Sequence, residues 1–287
     1  KENLSYFGVN NNQSHWIYNF SLPPLLVHSF LFEDSTHLNK WSKNLPTTKI
    51  GNNYLNFIAS HDGIGMRPAE GYLDKKNLSK FFKRLKKNGG QLSYRKIQGS
   101  SKKVYEANIT LFNAFQKTDY DKKGKYFLER YVSAHAIMIA FDGIPAIYFN
   151  SIFGTSNDDY RYIISGNKRD LNRYKWNKDR LDNLLKNKDS KQSVFYKKIT
   201  NLVFIKRQNK AFHPNAKREN LDMGKKIFCF KRTSLDKKQT IYNFTNLSSK
   251  YQKLNLDKKY KNLLDKSKIT HKFKLRPYET LWLTNNK

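Results

Sequence analysis

Hydrophobic residues in the first 210 or so positions follow two alternating patterns. Short, nearly continuous apolar runs predict buried strands at residues 16–20, 54–60 and 146–150. Elsewhere, apolar residues recur at helical spacing, for example at Leu78, Phe81, Phe82 and Leu85. This spacing predicts a helix soon after the first strand and further helices at 74–87, 125–141 and 190–209. The polar segment 154–187 is predicted to be a loop.

The order of these elements predicts the fold class. Strand and helix alternate three times, which is typical of a parallel α/β sheet or barrel. After Pro214 the pattern changes to short β-type segments separated by Asp, Asn, Lys and Ser turns. These segments are residues 227–231, 240–244, 252–256, 269–275 and 280–283. They predict a small antiparallel sandwich that follows the α/β part.

The chain is strongly basic, with a net charge of +32 and a pI near 10.0. Such a charge suits binding to nucleic acid or to an anionic membrane. Lysine is spread over the whole chain, however, and arginine, the better reader of bases and phosphates, is scarce. We therefore expect a lysine-coated surface with no specific nucleic-acid partner and no membrane partner. Nucleic-acid binding is the alternative that the charge supports.

Cysteine content and hydropathy bear on location. Cys229 is the single cysteine, so no intrachain disulfide can form, and we expect a reducing compartment, the cytoplasm. No run of 18 apolar residues occurs, so we expect no transmembrane helix. The first residues show no secretory signal pattern, and none is expected.

The segment 56–71 contains the candidate chemistry. A predicted buried strand delivers His61 and Asp62 to its carboxyl end, which is the catalytic face in a barrel. A carboxylate beside an imidazole suits recognition of sugar hydroxyls and stabilisation of a positive, oxocarbenium-like centre. Arg67 and Glu70 follow in the same loop, where an ion pair between them would shape it. On spacing alone, a simple strand-ending turn, in which Asp62 bonds its own backbone, remains open.

The string from His61 to Gly71 resembles the fourth conserved segment of glycoside hydrolase family 13, the α-amylase superfamily. Within that family it is similar to the branch of sucrose phosphorylases and glucosylglycerate phosphorylases. Further segments resemble this branch in the family's order, and together they cover nearly all of the chain. They are residues 1–8, 18–24, 105–110, 134–138, 143–148, 169–173 and 275–283.

The resemblance implies a fold and a boundary. The expected fold is the C-terminal part of a (β/α)8 TIM barrel, strands six to eight, in residues 1–213, followed by a small antiparallel β-sandwich in residues 214–287. Residues 105–110 would form a mobile loop beside the acceptor subsite. The family's nucleophilic Asp and acid/base Glu are expected before Lys1, so Glu2 is not the acid/base. The missing N-terminal half is an expected partner.

The resemblance also implies roles for single residues. Asp62 would stabilise the transition state, His61 would bind the sugar, and Arg173 would hold the glucosyl ring. The further substrate-binding candidates are Arg67, Glu106 and Asn108. Glu106 and Asn108 would contact the acceptor or phosphate, with an ordinary loop role as the alternative for both.

The function implied is retaining α-glucosyl transfer from sucrose or a related glucoside to inorganic phosphate, giving glucose 1-phosphate. The substrate is a small sugar, and neither a metal nor an organic cofactor is expected. Hydrolysis by a family 13 enzyme, with water as acceptor, is one alternative. A non-catalytic relic that binds sugar weakly is another, and the chain alone is expected to be inactive. His135 is expected to be structural, and Cys229 is expected to carry no chemistry.

Overall fold

The computed structural model describes residues 2–8, 12–96 and 102–285, so Lys1 of the first family-like segment lies outside it. The helices are α1 (Glu2–Ser5), α2 (Leu22–Phe32), α3 (Thr36–Asn44), α4 (Lys75–Lys87), α5 (Leu111–Gln116), α6 (Phe127–Ala140), α7 (Phe149–Ile152), α8 (Asp159–Ser165), α9 (Lys178–Lys186) and α10 (Lys191–Arg207). The strands are β1 (Trp16–Tyr18), β2 (Asn53–Asn56), β3 (Ile64–Gly65), β4 (Gln91–Lys96), β5 (Lys102–Asn108), β6 (Ile144–Pro145), β7 (Lys217–Leu221), β8 (Ile227–Thr233), β9 (Thr240–Asn246), β10 (Gln252–Asn255), β11 (Tyr260–Asn262), β12 (Lys268–Ile269), β13 (Lys272–Leu275) and β14 (Thr280–Thr284).

A parallel sheet organises the first part of the chain. It contains β1, β2 and β6, with β2 in the centre. Helices α2 and α3 connect β1 to β2, and the connection from β2 to β6 includes α4, α5 and α6. Strand and helix therefore alternate, and the strands are parallel, as the sequence predicts.

Two predicted strands differ from the structure. β2 stops at Asn56 rather than at residue 60, because the chain turns where the amide of Asp62 donates to Oγ of Ser60 at 3.1 Å. The strand predicted at 146–150 is wrong. Pairing with β2 ends at Ala146, whose amide donates to the Asn56 carbonyl at 2.7 Å. The chain then enters α7.

Two predicted loops contain regular structure. The first four residues of the predicted mobile loop 105–110 belong to β5, because Ala107 pairs with β3 on one side and with β4 on the other. The polar segment 154–187 contains α8, a 3-10 turn (Lys168–Asn172) and α9. Each begins at a capping side chain that accepts a backbone amide, and these are Asp158, Asn167 and Asn177.

Antiparallel strands form the last part of the chain. A six-stranded sheet has the order β12-β11-β14-β9-β8-β7, and β10 pairs with β13 in a two-stranded sheet. Leu254 of β10 and Leu275 of β13 pack in one cluster with Ile227 and Cys229 of β8. The two sheets therefore enclose a common apolar layer, as in a sandwich.

The other face of the six-stranded sheet joins the core of the α/β part. Phe228, Phe230 and Trp282 belong to the same apolar cluster as Ile137 and Phe141. Polar contacts cross the junction as well. Oγ of Ser133 on α6 donates to the Tyr278 carbonyl at 2.6 Å. The two parts therefore pack as layers on one continuous core.

Candidate active site

Asp62 lies on the turn that follows the central parallel strand. At the end of β2, the side chain of Asn56 accepts a hydrogen bond from Asn19 at 2.8 Å and donates to the Asp142 carbonyl at 2.7 Å. These bonds tie the end of β2 to the residue that follows β1 and to the segment that precedes β6. The turn at Ser60 then presents His61 and Asp62, whose side chains are 66% and 35% exposed.

Arg173 holds this turn from a distant segment. It follows the 3-10 turn Lys168–Asn172, and its Nη2 donates to Oδ1 of Asp62 at 3.0 Å. Its Nε donates to the His61 carbonyl at 3.2 Å, and the His61 ring nitrogen Nε2 lies 3.7 Å from Oδ1 of Asp62. The structure therefore brings Asp62, His61 and Arg173 together.

A second arginine from the same 3-10 turn joins Asp62 to Glu106. Nη1 of Arg169 lies 3.3 Å from Oδ1 of Asp62, while its Nε and Nη2 donate to Oε2 of Glu106 at 3.2 and 3.1 Å. The other oxygen of Glu106 accepts the amide of Gly63 at 2.7 Å. Glu106 thus ties β5 to the turn that carries Asp62.

The neighbours of Arg169 strengthen its positive charge. The hydrogen bond to Glu106 and the negative charges of Glu106 and Asp62 raise the pKa of Arg169 above its usual value, against the opposing effect of burial. Arg169 is therefore cationic, and it lies between the side chains of Asp62 and Glu106. Such bonds between charged partners are the strong kind, so they fix the orientation of Asp62.

A cavity of about 210 Å³ lies beside this network. Asp62, Glu106 and Arg169 contribute to its lining, and further polar lining groups are Tyr105, Tyr148, Asn150 and Asn172. Apolar parts of the wall come from Phe20, Phe57, Ile58, Ile64 and Leu111. Aromatic walls with a few fixed hydroxyl, amide and carboxylate groups suit a small ligand that is rich in hydroxyl groups.

Known proteins resemble the chain along most of its length. Glucosylglycerate phosphorylase of Escherichia coli is 27% identical over 285 residues, which are 99% of this chain and 50% of that protein. Glucosylglycerate phosphorylase of Allomeiothermus silvanus is 32% identical over 75% of this chain and 39% of its own length. Sucrose phosphorylase of Agrobacterium vitis is 26% identical over 69% of this chain and 38% of its own length.

The chain belongs to the sucrose phosphorylase and glucosylglycerate phosphorylase branch of glycoside hydrolase family 13. The family resemblance of the sequence motifs is thereby confirmed, although no protein-family model matches the chain. The chain spans half or less of the length of these relatives, consistent with a C-terminal portion.

The fold agrees with this family. The crystal structure of sucrose 6F-phosphate phosphorylase from Thermoanaerobacter thermosaccharolyticum matches with a TM-score of 0.69 at 20% identity, over 85% of this chain and 45% of that one. The chain therefore has the fold of part of a family 13 barrel enzyme, with mixed helices and sheets and six antiparallel strands.

Other candidates from the family motifs lie outside the cavity lining. Asn108 is fully buried, and its Nδ2 donates to Oγ of Ser93 at 2.9 Å, so it links β5 to β4. Arg67 is exposed at the start of a 3-10 turn. The carboxylate of Glu70 pairs with Lys103 at 3.1 Å and Arg95 at 3.7 Å, which joins this loop to the hairpin of β4 and β5.

The predictions for His135 and Cys229 concern side chains that are buried in the structure. His135 is fully buried in α6, with its Nδ1 2.9 Å from the Tyr131 carbonyl, and burial lowers its pKa to about 4. Cys229 is fully buried in β8, and burial raises the pKa of its thiol. Both positions lie in packed core rather than at the cavity.

Sequence reasoning missed Arg169, Tyr148, Asn150 and Asn172 as lining residues. Arg169 and Asn172 stand in the same family-like segment as Arg173, so that segment could have indicated them. Asn150 lay in a predicted strand, where no local pattern distinguishes it.

Two general properties concern metals and membranes. Within residues 2–8, 12–96 and 102–285, no group of three His, Cys, Asp or Glu side chains could hold a metal ion. None of the helices in the described part of the chain is sufficiently long and apolar to cross a membrane.

Proposed function

We propose that the chain forms the C-terminal part of a retaining phosphorylase. The reaction takes an α-glucosyl unit from sucrose or a related glucoside and transfers it to inorganic phosphate, which yields glucose 1-phosphate. The observation that supports it best is the placement of Asp62 at the cavity, held by Arg173 at 3.0 Å. The three relatives described above are phosphorylases, which supports phosphorolysis over hydrolysis.

In this proposal Asp62 stabilises the transition state. Glucosyl transfer passes through an oxocarbenium-like centre, and a fixed carboxylate beside it lowers its energy most where water is displaced. Arg173 keeps Asp62 oriented, and Arg173 and His61 lie next to the glucosyl position through their contacts with Asp62. Arg169 and Glu106 hold the hairpin of β4 and β5 next to the site, on the acceptor side.

We propose that two further carboxylates come from polypeptide outside these 287 residues. Retention of configuration needs a nucleophile and an acid/base in addition to Asp62. In support, the relatives are about twice as long as the matched part or longer. We assign β1, β2 and β6 to barrel strands six to eight, since catalytic groups collect at the carboxyl ends of barrel strands. We place the domain boundary near residue 213.

Cofactor, partner and location complete the proposal. Carboxylates and phosphate suffice for the chemistry, so no metal or organic cofactor takes part. The partners are a small sugar and the N-terminal half of the barrel rather than a specific nucleic acid or a membrane. A buried, unpaired Cys229 suits a reducing compartment, which we propose is the cytoplasm.

A complementation assay tests the proposed function. The chain is mixed with the part of the E. coli glucosylglycerate phosphorylase that it does not match, and glucose 1-phosphate is measured with phosphate and either sucrose or glucosylglycerate. We expect background activity from each piece alone and turnover from the mixture. Asp62→Ala is expected to reduce that turnover by about a thousandfold or more, as for other essential groups.

Exposed Asp189 provides the matched control. Asp189→Ala is expected to leave turnover in the mixture unchanged. Activity of the chain alone that is lost in Asp62→Ala would disprove the placement of the other carboxylates. Formation of free glucose rather than glucose 1-phosphate at saturating phosphate would show a hydrolase. Sugar binding without turnover in the mixture would show a relic.

A further inference from the structure

Two buried amide groups at the candidate cavity each have an atom that lacks a hydrogen-bond partner among the described residues. These atoms are Oδ1 of Asn150 and Nδ2 of Asn172. The residues are only 5% and 3% exposed. A buried polar atom without a partner destabilises the protein, so a ligand or an ordered water is expected to satisfy it.

The surroundings of Asn150 determine which of its atoms is free. Its Nδ2 donates to the Tyr174 carbonyl at 3.0 Å and to the hydroxyl of Tyr148 at 3.1 Å. Because a carbonyl only accepts, the nitrogen must face Tyr174, and Oδ1 must point the other way. The free atom is therefore an acceptor, fixed by its neighbours.

The same tyrosine connects the two asparagines. The hydroxyl of Tyr148 donates to the Asn172 carbonyl at 2.8 Å, so it can only accept from Asn150. Asn172 also precedes Arg173, which holds Asp62. Asn150 and Asn172 both line the cavity beside Asp62. Their unpartnered atoms are one acceptor, which is fixed in place, and one donor.

This combination selects for hydroxyl groups. A hydroxyl both donates and accepts, so hydroxyl groups of one ring can satisfy Oδ1 of Asn150 and Nδ2 of Asn172. A carboxylate offers acceptors only, and inorganic phosphate at neutral pH offers one or two hydroxyl donors among anionic oxygens, which would face the lone pairs of Oδ1 of Asn150. The pair of amides therefore matches the sugar rather than the anionic acceptor.

We propose that Asn150 and Asn172 bind hydroxyl groups of the transferred glucosyl unit, Asn172 as donor and Asn150 as acceptor, and thereby select this sugar. The identity of the sugar as glucose rests on the proposed function, whereas the selection for hydroxyl groups rests on the two amides. A pocket built around a hydroxyl rejects an analogue that lacks it, because its buried groups are then left unpaired.

Titration of the whole chain with glucose and with each monodeoxyglucose, followed by NMR, tests the proposal. We expect the wild type to bind glucose at least about tenfold more tightly than one of the monodeoxy sugars. Asn172→Asp keeps the size of the side chain but removes the free donor. We expect it to weaken glucose binding and to abolish discrimination against that monodeoxy sugar. Circular dichroism verifies that the variant is folded.

Asn220→Asp is a matched control. Asn220 also has a buried, unpartnered Nδ2, but it lies in β7 of the antiparallel sheet, away from the cavity lining. We expect this variant to bind glucose as the wild type does. A purely structural role of Asn172 would reduce binding of all the sugars equally, whereas a direct contact removes the difference between two of them.

The outcomes separate this proposal from the proposed function. If Asp62→Asn abolishes glucose binding but Asn172→Asp preserves discrimination, the inference on the amides is wrong and the proposed function stands. If the folded wild type binds no glucose, the inference is wrong, and the complementation assay decides the proposed function independently. Discrimination among the sugars without glucose 1-phosphate formation in that assay would contradict the proposed function alone.

Discussion

Single side chains hold the candidate site together across long stretches of sequence. Arg169 bonds Glu106 from 63 positions away, and Arg173 bonds Asp62 from 111 positions away. Each bond joins a loop end to a different element, so loss of either arginine weakens the positioning of a carboxylate and of a segment together. Elsewhere, burial is the largest influence on a side chain, as it is for the pKa values of His28 and His135.

Stability is expected to fall as the pH is lowered from about 6.5 towards 4. Burial lowers the pKa of His135 to about 4. The pKa of His28 is also lowered to about 4, first by burial and then by the charge of His37. Below 6.5 the unfolded chain takes up protons that the folded chain does not, so each histidine lowers stability by at most about 1.4 kcal/mol per pH unit. Urea unfolding at pH 7.0 and pH 5.0 measures the change.

His135→Gln is expected to reduce this dependence on pH, since glutamine does not titrate. His15 is exposed, and His15→Gln should leave the dependence as in the wild type. An equal loss of stability between the two pH values in wild type and His135→Gln would show that His135 is not responsible.

Helix ends and connections determine how the elements are placed. Asp121 organises the connection between α5 and α6: its Oδ1 accepts the amide of Lys125, and its Oδ2 accepts the amide of Tyr126, each at 2.9 Å. Oδ2 also binds Nη1 of Arg130 at 2.7 Å. Arg130 is fully buried and donates further to the carbonyls of Phe115 and Gln116.

Asp121→Asn is expected to destabilise the chain by about 3–5 kcal/mol, because it leaves the buried charge of Arg130 without its partner. Thermal and urea unfolding measure the loss. The exposed pair of Lys178 and Asp182 in α9 provides the control, and Asp182→Asn should cost less than about 0.5 kcal/mol. Similar effects of the two substitutions would contradict a structural role for the buried pair.

Periodicity predicts the helices better than it predicts the strand ends. The helices at 75–87 and 191–207 begin within one residue of their predicted positions, since apolar spacing and the capping residues Asp74 and Ser190 agree. The apolar run after Asn56 continues beyond β2, so hydropathy alone could not show that the turn begins near Ser60. Similarly, the capped helices in 154–187 are only seven and nine residues long, which concealed them.

The sequence motifs predicted some residues of the site but not the contacts between distant segments. Family-like strings pointed to His61, Asp62 and Arg173, which the structure brings together. They did not indicate that Arg169 would join Asp62 to Glu106, because that bond depends on how the hairpin packs over the turn. Contacts of this kind follow from tertiary packing and leave no local pattern.

At the scale of the whole molecule, the edge strand β1 and the residue Phe20 after it present exposed aromatic side chains. Trp16, Tyr18 and Phe20 are 55%, 57% and 45% exposed, and the rings of Tyr18 and Phe20 stack at 5.4 Å. Such aromatic surface favours association in water. It also suits packing against further barrel strands, in keeping with the proposed N-terminal partner.

We expect the isolated chain to bind an uncharged hydrophobic dye such as Nile red, or to associate despite its charge of +32. An uncharged dye is needed because a basic surface attracts anionic dyes. Trp16→Lys combined with Tyr18→Lys should reduce dye fluorescence and association, measured by light scattering. Ile50→Lys combined with Tyr251→Lys alters isolated exposed residues and should change neither. A monodisperse wild type without dye binding would contradict the expectation.

The single thiol of the chain has a practical consequence. Cys229 lies within the layer between the two antiparallel sheets, and burial raises its pKa, so reagents cannot reach a reactive thiolate while this layer is closed. The rate at which a thiol-reactive chromophore labels Cys229 therefore measures how often the sandwich opens. No other cysteine contributes to the signal, because Cys229 is the single cysteine of the chain. With an added N-terminal half, the same labelling rate reports whether assembly of the barrel slows the opening of the sandwich.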